Sequence, residues 1–213
     1  MRAEILRRIR EEYPLIPREM GELKELKKGM YRFDFECYRV GEIGNLFAID
    51  MSAMFGLMKM ETVVLTPVER DLSFCNFDVV HAMGTDTCIF EMYDTGISER
   101  DLSSFDPLKE KYADLPPYET RPRWYDSWRL SPSIGKRGKR LAARGEEMLE
   151  EHLNEYLRLL AQATACDPGE KRERNRRYVD RLLAEGGAAV DSMKKLLGEE
   201  KTDRLIRRFM FDV

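Results

Sequence analysis

The sequence predicts an α+β fold: a three-layer α/β/α sandwich with a central antiparallel sheet flanked by helices. Two observations carry this. Hydrophobic spacing has period two, the mark of half-buried strands, in the middle of the chain, and period 3.6, the mark of amphipathic helices, towards both ends. The chain has 213 residues, enough for one sizeable core and too few for two comfortable domains. Residues 1–213 are therefore read as a single domain.

Residues 1–28 read as helical. Ile5, Ile9 and Tyr13 mark one face, Pro14 and Pro17 interrupt, and a second short helix runs on to Lys28, where Gly29 is a plausible stop. From Tyr31 to Tyr38 apolar and polar residues alternate, as in a half-exposed strand, and Gly41 and Gly44 make the turn. Residues 45–60 fit either a buried strand pair or a short helix. Residues 58–80 form two β-rich apolar runs around a polar connection at 66–71, where Pro67 cannot donate into a central ladder. Each run holds one carboxylate, Glu61 in the first and Asp78 in the second. On neighbouring strands of a hairpin-like pair the two acids would act on one ligand. The competing reading is a pair of solvated edge acids, since charged residues are mostly exposed. Residues 88–94 form the next strand, with Asp94 as a turn or cap residue. His81, near a strand end, reads as structural.

Residues 95–133 are loop-rich, punctuated by Pro107, Pro116, Pro117, Pro122 and Pro132, with an aromatic knot at 123–128. A loop this long inside a compact domain is either functional or disordered, and two tryptophans argue against disorder. Residues 145–163 give the clearest helix, with Leu149, Leu153, Tyr156, Leu157 and Leu160 as its stripe and glutamates in its first turns. Asp167 then caps a helix that has Pro168 in its first position, runs to Glu185 and stops at Gly186 and Gly187. Two more helices are expected at 189–197 and 202–211.

The net charge is −3 and the pI near 5.7, so nothing argues for nucleic acid as a bulk partner. Basic residues cluster at 136–144 and 171–177, which are either docking surface for an acidic partner or solvated helix faces. Cys37, Cys75, Cys88 and Cys166 show no zinc or iron–sulfur spacing. No apolar run approaches the roughly 20 residues of a membrane helix. Residues 1–8 are too charged for a signal peptide. A cytoplasmic protein with reduced thiols is expected, off the membrane. There is no dinucleotide-binding glycine motif and no P-loop.

The stretch V-L-T-P-V-E-R-D-L-S-F-C-N-F-D-V-V at 64–80 resembles a core pattern of the ferredoxin-dependent bilin reductases, V-x-F-P-x-P-x-x-D-L-P-x-F-x-x-D-L-V. A second anchor lies at the far end. R-R-Y at 176–178, L-G-E-E at 197–200 and F-M-F-D at 209–212 resemble the R-R-Y … F-G-x-E … L-F-D close of the same proteins. The anchors stand in order, at nearly the family separation, and bracket most of the chain.

The resemblance implies the same sandwich, with a linear tetrapyrrole held between the sheet and the C-terminal helices. It implies reduction of biliverdin or a dihydrobiliverdin to a phytobilin such as phycocyanobilin, by sequential electron and proton transfers. Reduced ferredoxin would be the external donor, with no flavin, metal or nicotinamide bound, and the chain a monomer. Asp78 falls on the family's catalytic aspartate. A carboxyl in an apolar pocket is protonated near neutrality and donates that proton. Asp50 lies nearest a further acidic position, after a shift around Gly56. Glu61 stands where phycocyanobilin-forming members carry histidine and several others asparagine, so two carboxylates would share a proton across the ligand. Trp124, Asp126, Ser131, Pro132 and Ser133 would lie near the bilin. Ser131, Ser133, Lys136, Arg137 and Arg140 would meet its propionates, arginine through its planar fork. An aspartate that many members carry on the helix side corresponds here to Gly186 and Gly187, with Glu185 beside them as a substitute. These departures keep open a second reading, a bilin carrier without turnover on the same scaffold. A third is a reductase of a chlorophyll-derived tetrapyrrole, against which the lack of long insertions counts.

Overall fold

A computed structural model describes residues 1–213, the side chain of Ala188 excepted. Its centre is one eight-stranded sheet. The strands are β1 (Leu15–Pro17), β2 (Glu25–Lys28), β3 (Tyr31–Val40), β4 (Gly44–Ala53), β5 (Met58–Pro67), β6 (Cys75–Ala82), β7 (Thr85–Met92) and β8 (Ile134–Gly138). They run in the order β1-β3-β4-β5-β6-β7-β8, with β2 also against β3, and every pairing is antiparallel. From β3 to β7 each strand lies beside the next in sequence, so most of the sheet is a meander.

Helices cover both faces. On one side lie α1 (Arg2–Glu12), α2 (Asp106–Lys111) and α3 (Ala142–Ala161), packed over Leu46, Ala48, Val63, Leu65, Phe77, Val79 and Phe90. On the other lie α4 (Pro168–Glu185), α5 (Ala188–Leu197), α6 (Glu199–Arg204) and a terminal π-helical segment, Leu205–Phe211, over Phe33, Phe35, Phe47, Ile49 and Val64. The alternation along each strand sorts the two cores, since successive side chains point to opposite faces. The expected three-layer sandwich is the one observed.

The ends of several elements differ from the sequence reading. The second helix expected before Lys28 is replaced by β1, a 3₁₀ turn at Gly21–Leu23 and β2. Both strands pair with β3, which would otherwise end the sheet, and that non-local pairing overrides local helix propensity. Pro17 fits because β1 is an edge strand. The open choice at 45–60 resolves into β4, a tight turn and β5. Residues 134–138, which overlap the basic cluster at 136–144 and to which the sequence assigns no strand, form β8 and extend the sheet beyond β7. The α4 cap is as expected: the Glu170 N–H donates to Asp167 Oδ1 at 2.8 Å, and the helix ends at Gly186 with φ 76°.

The terminal segment is fixed through Asn45 on β4, whose Nδ2 donates to the carbonyls of Phe209 (2.6 Å) and Met210 (3.1 Å). Asp212 accepts from Arg18 at 2.8 Å and Arg172 at 3.0 Å. These bonds hold the C-terminal layer against β3 to β5 and leave the β6 to β8 side of the same face less covered.

Candidate functional site

Asp78 sits on the face that the C-terminal helices cover incompletely. Strand register places Thr62 of β5 and Ile89 of β7 on either side of it. The same face presents Met58 and Met60 from β5, Asn76 and Val80 from β6, Glu91 from β7 and Arg137 from β8. Most of these are half-buried, while Phe35, Phe47 and Val64 further across the face are buried. The result is an open, largely apolar floor with a carboxyl near its middle.

The carboxyl accepts two hydrogen bonds, from Thr62 Oγ1 to one oxygen and from Asn76 Nδ2 to the other at 2.5 Å. Burial pushes Asp78 up to about 6; the bonds from Thr62 and Asn76 pull the other way, and the charge of Glu91 adds to the rise. Some contact with the cleft remains, but the protein around the group governs its ionisation. Asn76 Oδ1 is buried without a hydrogen-bond partner. A carboxyl of this kind is half protonated near pH 6, with donors in place to receive the anion once the proton has left.

An aromatic and charged wall stands beside it. The Tyr93 hydroxyl donates to Glu91 at 2.7 Å and Arg129 pairs with Glu91 at 2.8 Å. Tyr93 packs on Tyr178 with centroids 5.0 Å apart, and Tyr178 on Trp124 at 5.5 Å. Trp124 Nε1 donates to the Gly186 carbonyl at 2.7 Å, which ties the 124–128 turn to the end of α4. The long loop is therefore an ordered wall joining the sheet to the C-terminal helices.

The residues singled out from sequence distribute unevenly around this floor. Glu61 lies on the opposite face, because it is one residue out of phase with Thr62. It accepts the Arg2 backbone N–H at 2.8 Å and faces the N-terminal amine at 3.1 Å. Burial tends to raise its carboxyl, but these two donors outweigh burial and hold it below the usual range. Asp50 is directly across from Glu61 and shares that face. The structure thus brings Glu61 and Asp50 to each other and neither of them to Asp78. Trp124 belongs to the wall. Asp126 caps the aromatic turn, accepting from the Arg123 N–H at 2.7 Å. Ser133 is bonded to the backbone of Met92, and Ser131 is exposed, its carbonyl taken by Lys109 at 2.7 Å. Lys136 is buried on the α3 side and donates to the Leu115 carbonyl at 2.9 Å, so it does not reach the floor. Arg137 is exposed on Asp78's face, above Tyr118, and Arg140 is exposed just past β8. Glu185 is exposed and paired with Arg181 at 2.5 Å.

The sequence reading missed Thr62, Asn76, Glu91 and Arg129. Asn76 was within reach, since it precedes Asp78 by one period of the strand alternation. Thr62 and Glu91 depend on cross-strand register, which a single sequence does not carry.

No family model matches the chain. No curated protein matches it. Among solved structures it is similar to a phytochromobilin synthase from tomato, crystallised in complex with biliverdin. The two folds agree with a TM-score of 0.77 over 99% of this chain and 81% of that one, at 15% identity. The likeness establishes the fold.

Proposed function

We propose that this chain binds a linear tetrapyrrole of the biliverdin type on the open face of the sheet and reduces it to a phytobilin, taking electrons one at a time from a ferredoxin. The observation that carries the reading is Asp78: a carboxyl held at about 6, midway along an apolar floor, with two donors that stabilise its anion. The fold it shares with a synthase crystallised with biliverdin supports the choice of ligand.

Each two-electron reduction of the pigment takes up two protons. Asp78 gives one to a pyrrole nitrogen or lactam oxygen and becomes a carboxylate, which Thr62 and Asn76 hold by donation. Glu91, engaged by Arg129 and Tyr93, lies beside it, and its charge opposes ionisation of Asp78 until the pigment becomes basic enough to take the proton. Glu91 thereby replaces Glu61 as the second carboxylate of the ligand face. Trp124 and Tyr178 flank the π-system, and Arg137 and Arg140 receive propionates at the exposed rim.

The test is an anaerobic absorbance time course with biliverdin, ferredoxin and a reducing system. The expected course runs from a bound-pigment spectrum through radical intermediates to a blue-shifted product. A shifted but static spectrum would replace the reductase by a carrier, and an unshifted one would exclude biliverdin as ligand.

A further inference from the structure

Six large apolar side chains stand in water; apart from Ile16 on the edge strand β1, they are Met30 (59% exposed), Met54 (41%), Phe55 (98%), Leu57 (65%) and Met83 (85%). Strand register gathers them. Tyr31 begins β3 near where β4 ends, Met58 pairs with Ala82, and Ala82 with Thr85. The turns at 29–30, 54–57 and 83–84 therefore lie at one end of the sheet, and the Met83 N–H donates to the Leu57 carbonyl at 3.3 Å. Met54, Phe55 and Met83 have φ of 52°, 58° and 51°. Left-handed backbone at a hairpin turn normally goes to glycine, asparagine or aspartate, because other side chains are strained there. Here three strained positions hold apolar groups outward.

The surround is cationic. Lys28, Lys59, Lys139 and Arg140 are exposed at the same end, and none has an ion-pair partner among the described residues. Of the acids nearby, Glu25 is engaged by Lys27, Asp34 by Arg32 and Asp86 by His81, while Asp50, across from Asp34, has no ion pair among the described residues. The basic segments expected from sequence to dock a partner are mostly consumed elsewhere. Lys136 and Lys171 are buried, and Arg144, Arg172, Arg174, Arg176 and Arg177 pair with acids. The apolar end is continuous with the face that carries Asp78, since Met58, Met60 and Val80 lead from it to Thr62 and Asp78.

We propose that this end of the sheet is the docking surface for an acidic one-electron iron–sulfur protein, with Phe55 and Met83 as the apolar contact and Lys28, Lys59 and Lys139 as the rim. The proposal rests on the reductase reading, which requires such a donor to approach the pigment. A protein is favoured over an anionic membrane because the patch is continuous with the sheet face that carries Asp78, where electrons must arrive.

Calorimetric titration with a plant-type [2Fe–2S] ferredoxin, without pigment, tests it. The wild-type chain should bind, and more weakly as salt is added. Kd should rise about tenfold or more in Phe55→Ser/Met83→Ser and in Lys59→Glu. Phe55→Gly should weaken docking while raising Tm, because glycine relieves the backbone strain. Equal binding by all variants, no binding by the wild type, or binding to phosphatidylserine vesicles in place of ferredoxin would overturn the proposal. A chain that binds ferredoxin at this end but leaves biliverdin unreduced would defeat the reductase reading and leave the docking surface standing. A chain that reduces biliverdin while every variant binds ferredoxin equally would do the reverse.

Discussion

Asp78 carries a stability consequence as well as a chemical one. Its carboxyl titrates at about 6 in the folded chain, against an ordinary value of 3.8 for a free side chain. Well below pH 3.8 both states are protonated and the group is neutral to stability. As pH rises the unfolded chain ionises first, so stability falls until the folded group has also ionised, and the full cost is present above pH 6. Partial contact with the cleft screens the charge, which leaves a cost of about 1–3 kcal/mol. Asp78→Asn removes it. The variant should melt above the wild type at pH 8, with the difference shrinking as pH falls below 6 and gone well below pH 3.8, and should keep pigment binding while losing reduction. Retained turnover would take Asp78 out of the mechanism. Glu61 shows how sharply one residue of phase acts in a strand: it shares a sequence neighbourhood with Thr62 and faces the other core.

At the scale of elements, α3 and β7 approach closely at Gly145. A Cβ on Gly145 would lie 2.3 Å from Cys88 Sγ and 3.0 Å from Cys88 Cβ. The helix rests on the strand at that point because one side offers no side chain. Gly145→Ala should therefore lower stability by about 1–3 kcal/mol in urea denaturation, as overpacking does. Adding Cys88→Ala should recover much of the loss, since the new methyl then fills space the sulfur has vacated. A double variant no better than Gly145→Ala alone would place the strain elsewhere.

The whole molecule is one sheet with a core on each face, and the candidate site spans the sheet, the long loop and α4. Both tryptophans, Trp124 and Trp128, lie in the loop wall, so their fluorescence reports the site while far-UV circular dichroism reports the sheet and helices. The two signals should melt together. Biliverdin at a hundred times its Kd should raise stability by about 2.7 kcal/mol and shift both upward. A fluorescence transition that precedes the other would mean that the wall opens as a separate unit, and that ligand binding orders it.

Much was legible in one dimension. Hydrophobic period separates strand from helix, Asp167 with Pro168 starts α4, and Gly186 and Gly187 end it. These are local properties, written in neighbouring residues and enforced by backbone sterics and hydrogen bonding. What depended on partners distant in sequence was decided only by the tertiary structure. β1 and β2 form because β3 offers an edge. Glu61 leaves the site because register sets its face, and Glu91 enters it through pairing with β6. The apolar end of the sheet exists because three turns from separate hairpins meet there. Pairing across strands is a choice among many near-equal alternatives in sequence, and the packing of both cores at once selects among them.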